Sequence, residues 1–168
     1  MPTNFDGLRR LTPDDAPAVL EAFVAGGPEM LRQGDVTTLA QAVAYCERLV
    51  GQLAFVAELP GLPVAALVAI TVDEANRNGW LFYWAHPDAR GRGVTKRAAR
   101  TVADWALSPV GGNLHRLELG HRANNPASRG VALAAGFVQE GVEREKFLVD
   151  GARIDVLTYG RLRSDPVS

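Results

Sequence analysis

The run His86-Pro87-Asp88-Ala89-Arg90-Gly91-Arg92-Gly93-Val94-Thr95-Lys96 constrains this chain more than any other segment. It follows an apolar, aromatic stretch, Trp80 to Ala85, that reads as a strand, and it opens an amphipathic stretch, Val94 to Leu107, that reads as a helix. Two glycines one residue apart let the backbone turn tightly and approach a ligand, because no Cβ stands in the way. The first turn of the helix leaves amide N–H groups without intrahelical acceptors, and the helix dipole adds partial positive charge there. Phosphate binds well at such an end. Arg90, Arg92, Lys96, Arg97 and Arg100 add cations, with no acid between Arg90 and Arg100. The segment is therefore read as an anion cradle for a phosphorylated cofactor. It is not a P-loop: Gly-Lys-Ser/Thr is missing, and Lys96 follows Thr95 in the wrong order.

The rest of the chain alternates strand and helix signals. Phe5 to Leu11 reads as a first strand. A helix starts at Thr12-Pro13-Asp14-Asp15 and ends at Gly26-Gly27-Pro28, with Ala16, Val19, Leu20 and Phe23 on its apolar face. A second helix is expected from Thr38 to Leu49. Gln52 to Leu59 and Pro63 to Val72 read as strands around Pro60-Gly61, and Trp80 to His86 is the next strand after a polar loop. Pro109 to Gly112 breaks the chain after the basic helix. Leu114 to Gly120 alternates as a strand, and Asn125 to Ala135 is a short helix closed by Gly136. Phe137 to Leu148 and Ala152 to Leu162 form a terminal hairpin around Val149-Asp150-Gly151. Arg163 to Ser168 is expected to be a loose tail. The order β-α-α-β-β-β-α-β-α-β-β predicts an α/β (α+β) fold: one domain over residues 1–168, a mixed sheet with helices on both faces.

Composition narrows the function classes. A chain of 168 residues can bury a core without disulfides or metal. Its net charge of −1 argues against a general nucleic-acid binder. Cys46 is the single cysteine, so no intrachain disulfide forms, in keeping with a reducing compartment. Met1 to Arg10 lacks the apolar core of a signal peptide, and the longest apolar run, Val64 to Val72, is too short to span a membrane. The expectation is a soluble cytoplasmic protein with no nucleic-acid or membrane partner. No His/Cys/acid cluster has metal-ligand spacing, so no metal is expected.

Two segments together resemble the GNAT N-acetyltransferase superfamily. Its loop pattern, [Gln/Arg]-x-x-Gly-x-[Gly/Ala], is met by Arg90, Gly93 and, imperfectly, Thr95. Asn125-Pro126-Ala127-Ser128 followed by Gly136-Phe137 is similar to the branch that includes ribosomal-protein alanine and serine N-terminal acetyltransferases. Tyr83-Trp84, Arg116 with Glu118, and Asp150-Gly151 ahead of Asp155 fit the same branch. The resemblance implies a mostly antiparallel sheet of about seven strands and acetyl-CoA as donor. It implies that the amides of Gly91, Arg92, Gly93, Val94, Thr95 and Lys96 bind the pyrophosphate, with Arg90 and Arg92 nearby. The pantetheine arm would run between the splayed strands Trp80–His86 and Leu114–Gly120, past Trp84 and Ala85, with Asn125 hydrogen-bonding it and Ser128 near the thioester sulfur. Two positions depart from the family. Thr95 replaces Gly or Ala close to the phosphates, where its hydroxyl could itself donate. Ala132 stands where many members carry a tyrosine that protonates the leaving thiolate, which makes Ser128, or a water held by it, the candidate acid.

Acetyl transfer to an amine needs a neutral amine, close approach, an oxyanion donor and a proton for the departing sulfur. Orientation of two bound reactants supplies much of the rate. A backbone N–H around Trp84 to His86 could hold the oxyanion. A base matters most for a lysine-like amine, with a pKa near ~10.4, and less for an α-amino group near ~8. Glu118, on the strand face opposite Leu117 and Leu119, is the candidate base, or it simply pairs with Arg116. Ser128 is the candidate acid, or a helix-start hydroxyl competing with Asn125 for the cap. His86 is of a type suited to base work, but its place before Pro87 at the mouth of the loop favours a turn or backbone-bonding role, and His115 and His121 fit structural or solvent-exposed roles. Tyr159 and Asp155 fit structural hydrogen bonds.

The leading function is an acetyl-CoA-dependent N-acetyltransferase whose acceptor is a protein N-terminus or a small-molecule amine. Alternatives are a catalytically degenerate acyl-CoA-binding module and, less in keeping with the net charge, an RNA-binding domain. An open sheet edge at the terminal hairpin is compatible with a monomer or a homodimer.

Overall fold

The computed structural model describes residues 4–5 and 7–166. Met1 to Thr3 and Asp6, part of the segment read for a signal peptide and a first strand, lie outside the described residues, as do Val167 and Ser168 of the expected tail. Backbone contacts divide the chain into two compact units: residues up to Thr71 with Phe82–Ala98, and Val72–Leu81 with Ala99 onward.

In the first unit the strand order is β1-β2-β3-β4-β5. β1 (Asn4–Phe5) and β2 (Leu8–Arg10) pair antiparallel on either side of Gly7, at φ 76°, so the expected first strand is divided in two. That division yields eight strands among the described residues where about seven were expected. β3 (Leu53–Leu59) and β4 (Leu62–Asp73) form the hairpin read from Pro60-Gly61, and Gly61 at φ 78° supplies the turn. The helix expected at Thr12 begins as a 3₁₀ turn, Pro13–Asp15, and becomes α1 only at Ala16–Gly26. Asp15 accounts for this start: its carboxylate reaches back to the Thr12 N–H at 2.8 Å and is held by two Arg9 donors at 2.6 and 2.8 Å. A second 3₁₀ segment, Gly27–Arg32, follows α1. α2 (Leu39–Val50) is capped by Thr38, whose hydroxyl accepts from the Gln41 N–H while Gln41 reaches back to the Thr38 N–H. The core of this unit brings α1 and α2 onto β3, β4 and Trp84, with Phe23 meeting both Tyr45 and Trp84 edge-on.

In the second unit the order is β5-β6-β8-β7. β5 (Asn78–Ala85) and β6 (Arg116–Arg122) pair in parallel, over Asn78–Trp80 with Arg116–Glu118. β6 pairs antiparallel with β8 (Ala152–Leu162), and β8 with β7 (Val138–Val149). The β7–β8 turn is the expected one, with Asp150 and Gly151 both at positive φ. α3 (Val94–Leu107) and α4 (Pro126–Ala134) carry small buried residues, Ala99, Ala103, Ala106 and Ala132, which let a backbone approach closely. The tail expected to be loose is anchored at its start. The Arg163 guanidinium donates to the Leu107 and Leu114 carbonyls, and Asp165 accepts from the Leu162 N–H at 2.8 Å.

Candidate active site

The glycine loop belongs to the first unit. His86 opens it: its N–H donates to the Ala65 carbonyl at 2.9 Å, and its Nδ1 accepts from the Asp88 N–H at 3.1 Å, capping the 3₁₀ turn Pro87–Ala89. The imidazole is buried, so the turn role expected for His86 matches its surroundings. Gly91 and Gly93 follow at φ 71° and 72°, a backbone region that side chains resist. A Cβ on Gly91 would meet nothing within 4 Å, and one on Gly93 would meet only the Arg97 guanidinium at 3.0 Å. These glycines serve backbone direction and open access, not internal packing. The helical ladder begins with the Arg97 N–H on the Gly93 carbonyl at 3.1 Å, leaving the N–H groups of Val94, Thr95 and Lys96 without intrahelical acceptors. Thr95 is half-buried within that first turn and Val94 is buried.

The cations divide once their partners are seen. Arg90 pairs with Glu29 at 2.8 Å, Arg97 donates to the Arg92 carbonyl, and, in the second unit, Arg100 lies 3.9 Å from Asp104. Arg92 and Lys96 are exposed and make no ion pair among the described residues, so they are the cations left for a bound anion. The Arg90–Glu29 pair was not legible in the sequence, where nothing links the 3₁₀ segment Gly27–Arg32 to the loop.

At the end of β5 the expected contributions change in kind. The Trp84 indole is only 4% exposed and donates to the Tyr45 hydroxyl at 3.0 Å, so that side chain is core and Trp84 could meet a cofactor only through its backbone. Burial pushes the Tyr45 phenol up to about 12, against the lowering effect of the Trp84 bond. Because the His86 N–H faces β4, strand alternation sends the Ala85 N–H to the opposite edge. Of the two, it is therefore His86 that is tied to β4 and Ala85 that turns its N–H away from it.

The second unit holds the candidate acid and base. Glu118 projects from the half-buried face of β6, between Leu117 and Leu119, as its alternation required. Its carboxylate accepts from Arg116 Nε at 2.7 Å. Arg116 also clamps Glu140 through both terminal nitrogens, a contact with no sequence signal. The Arg116 bonds hold the Glu140 carboxyl below the usual range, with burial a smaller opposing effect. Asn125 takes the cap of α4: its Oδ1 accepts from the Ser128 N–H at 3.1 Å, so of the two residues competing for that role the asparagine has it. Ser128 is half-buried in the first turn, and Ala132 is fully buried on the inner face of α4. Tyr159 and His121 stack and share a 3.1 Å hydrogen bond, while Asp155 accepts from the Glu145 N–H at a bulge of β7. His115 is exposed. The structure thus gives all four groups the structural or solvent-exposed surroundings expected of them. No group of three or more His, Cys, Asp or Glu suited to a metal exists among the described residues.

Comparison with known proteins bears on the family and the fold. Residues 7–138 match the family described as Acetyltransferase (GNAT) domain. The chain is 29% identical over 92 residues to the ribosomal-protein-serine acetyltransferase of Escherichia coli, covering 54% of this chain and 50% of that protein. It spans about half the length of the curated relatives it matches. The ribosomal-protein-S5-alanine acetyltransferase of Vibrio fischeri superposes with a TM-score of 0.82 at 21% identity, over 96% of both chains. RimJ of Mycobacterium smegmatis, solved with CoA-disulfide, superposes with a TM-score of 0.75 at 26% identity, over 92% of this chain and 80% of the other. The chain belongs to the acetyltransferase (GNAT) family.

Proposed function

We propose that this protein transfers an acetyl group from acetyl-CoA to a primary amine, either a protein N-terminus or a small-molecule amine, by direct attack on the thioester. The observation that carries the reading is the glycine pair at positive φ ahead of α3, an open amide cradle with Arg92 and Lys96 beside it. A pyrophosphate fits such a cradle, since it needs N–H donors and positive charge without side chains in the way. Acetyl-CoA supplies the acetyl group as a thioester. The chain's own residues would do the remaining work. Amides 91 to 96 bind the phosphates, and the amide end of Asn125, whose Oδ1 caps α4, donates to the pantetheine arm. The Ala85 N–H holds the developing oxyanion. Glu118, oriented by Arg116, takes a proton from the amine directly or through water, and Ser128 gives one to the departing sulfur. The ribosomal-protein acetyltransferases among the relatives support a protein N-terminus as acceptor. They also support a cytoplasmic location, and no helix among the described residues is long and apolar enough to cross a membrane.

The test is CoA-thiol release across a panel of amines, with acetyl-CoA binding measured separately by calorimetry. Release that depends on an amine is expected. Binding without turnover on any amine would make the chain an acyl-CoA-binding module, and no binding would remove the donor assignment. The protein's own thiol does not confuse the readout: Cys46 is fully buried, and burial, with Asp15 adding, pushes it up to about 11.

A further inference from the structure

Gly160 on β8 lies opposite Glu118 of β6 on one side and Val138 of β7 on the other, so the three share one face of the sheet in the second unit. A Cβ on Gly160 would run into the Glu140 carboxylate and lie 2.7 Å from a terminal nitrogen of Arg116. Gly160 is not at positive φ, so the ion pair crossing β8, and not backbone conformation, calls for a glycine there. Glu140 is itself the extra residue of a β7 bulge. Gln139 pairs with Tyr159 and Gly141 with Thr158, which leaves Glu140 without a register partner. Bulges re-aim side chains, and this one carries a side chain that reaches across β8 to Arg116. We propose that Glu140 is a positioning residue for acetyl transfer: it occupies both terminal nitrogens of Arg116, so that Glu118 keeps a single bond to Nε and the free negative charge needed to take a proton from the acceptor amine. The inference rests on the acetyltransferase reading with Glu118 as base.

Stability does not account for the arrangement. The Glu118 and Glu140 side chains are 41% and 45% exposed, and ion pairs open to water add little. A bulge and a glycine inside strands both weaken a sheet, so their presence points to a role for the contact they permit. Charge does account for it. Two carboxylates face one guanidinium, which leaves one negative charge in excess. Without Glu140, the arginine fork is free to turn paired donors on Glu118 and neutralise it. With Glu140 in place, Arg116 orients Glu118 and its charge is met elsewhere. The two carboxylates keep distinct tasks. The Arg116 bonds hold the Glu140 carboxyl below its ordinary range, so Glu140 stays ionised while Glu118 exchanges its proton. Beside Glu118 in register stand Trp80 on β5 and Gly160 on β8, neither of them charged. Arg122, four residues along β6, lies over the Phe147 ring instead.

The experiment compares the native chain with Glu140→Gln, Glu140→Asp and Glu143→Gln by two readouts. One is the Glu118 carboxyl carbon resonance, followed by NMR against pH. The other is the pH profile of kcat/KM for one primary amine at saturating acetyl-CoA, where the amine's own ionisation is common to every variant. Glu140→Gln keeps the shape and removes the charge. The Glu118 titration and the acidic limb of the profile should then both move to lower pH, by about 0.5–1 unit. Turnover should fall threefold or more while acetyl-CoA affinity holds. Glu140→Asp keeps the charge and should restore most of both readouts. Glu143→Gln removes a charge from the same strand, one that pairs with Lys146, and should move neither. A stationary Glu118 titration in folded Glu140→Gln overturns the proposal. So does a titration that moves while the pH profile stays in place, which takes Glu118 out of the reaction. A loss of turnover that only tracks a loss of folded protein also overturns it, by making the contact structural. Failure of the native chain to bind acetyl-CoA would strike the acetyltransferase reading itself, a result distinct from a stationary Glu118 titration.

Discussion

Gly93 is the residue where backbone and ligand demands coincide. Gly93→Val places a β-branched side chain at φ 72°, where left-handed backbone costs roughly 1–2 kcal/mol, and puts that side chain where phosphate must approach. Acetyl-CoA affinity should fall more than tenfold by calorimetry while the helical circular dichroism signal stays intact. Unchanged affinity in the folded variant would dismiss the cradle. Ser128→Ala reads differently: if the hydroxyl serves the leaving sulfur, kcat drops by tenfold or more while acetyl-CoA affinity holds, and equal losses would make Ser128 a binding residue. Asp15 gives a pH prediction. Burial would raise its pKa, but the Arg9 and Thr12 bonds outweigh that and leave it below the ordinary carboxylate value. A depressed folded pKa stabilises fully above the unfolded value of about 3.9, and that contribution is lost as pH falls through the folded value. Urea midpoints of the native chain should therefore decline below about pH 4 more steeply than those of Asp15→Asn, which is itself destabilised at pH 7 by about 1–3 kcal/mol. Parallel declines would remove Asp15 as the cause. What was legible at this scale followed from residue type. Glycines announce positive φ, but the partner of a long side chain depends on the tertiary fold. Hence Gly91 and Gly93 were found and the pairing of Arg90 with Glu29 was not.

Elements were legible wherever their ends carry their own chemistry. Thr38 with Gln41 starts α2, Asn125 with Pro126 starts α4, and Asp150-Gly151 turns β7 into β8. Boundaries failed where a long-range contact decided them. The 3₁₀ start of α1 depends on Arg9 from β2, and β7 carries two register shifts, after Gln139 and after Glu143, that no local pattern encodes. Gly120 shows the same dependence: a Cβ there would lie 3.2 Å from Val156 and 3.3 Å from Trp80, so neighbouring strands explain the residue. The α4 cap separates structure from ligand binding. Asn125→Ala should cost about 1 kcal/mol of stability and also weaken acetyl-CoA binding. Asn125→Ser restores a capping oxygen but not the amide donor, so stability should return while affinity stays low. Recovery of both in the serine variant would confine Asn125 to capping.

For the molecule as a whole, charge placement matters more than net charge. The chain carries −1 overall, yet the loop and first turns of α3 gather five cations; three of them, Arg92, Lys96 and Arg97, have no ion-pair partner among the described residues, and of these only Arg97 has a side-chain bond, to the Arg92 carbonyl. A ligand that binds only the folded state raises its stability by about 2.7 kcal/mol at a concentration of 100 Kd. For a chain of this size each kcal/mol moves Tm by roughly 2–4 °C, so acetyl-CoA at that concentration should raise Tm by roughly 5–11 °C. Dephospho-CoA keeps the pyrophosphate and lacks the 3′-phosphate. If the amide cradle does most of the binding, its shift at equal concentration should stay close to that of CoA and depend little on salt. If the exposed cations carry the 3′-phosphate, the dephospho ligand should give a clearly smaller shift, and added salt should narrow the difference by screening exposed charge. The second outcome is expected, because Arg92 and Lys96 lack internal partners and a phosphate gives them one. Equal shifts for both ligands at every salt concentration would leave those two cations as a solvated face and rest the site on the backbone of Gly91 to Lys96 alone.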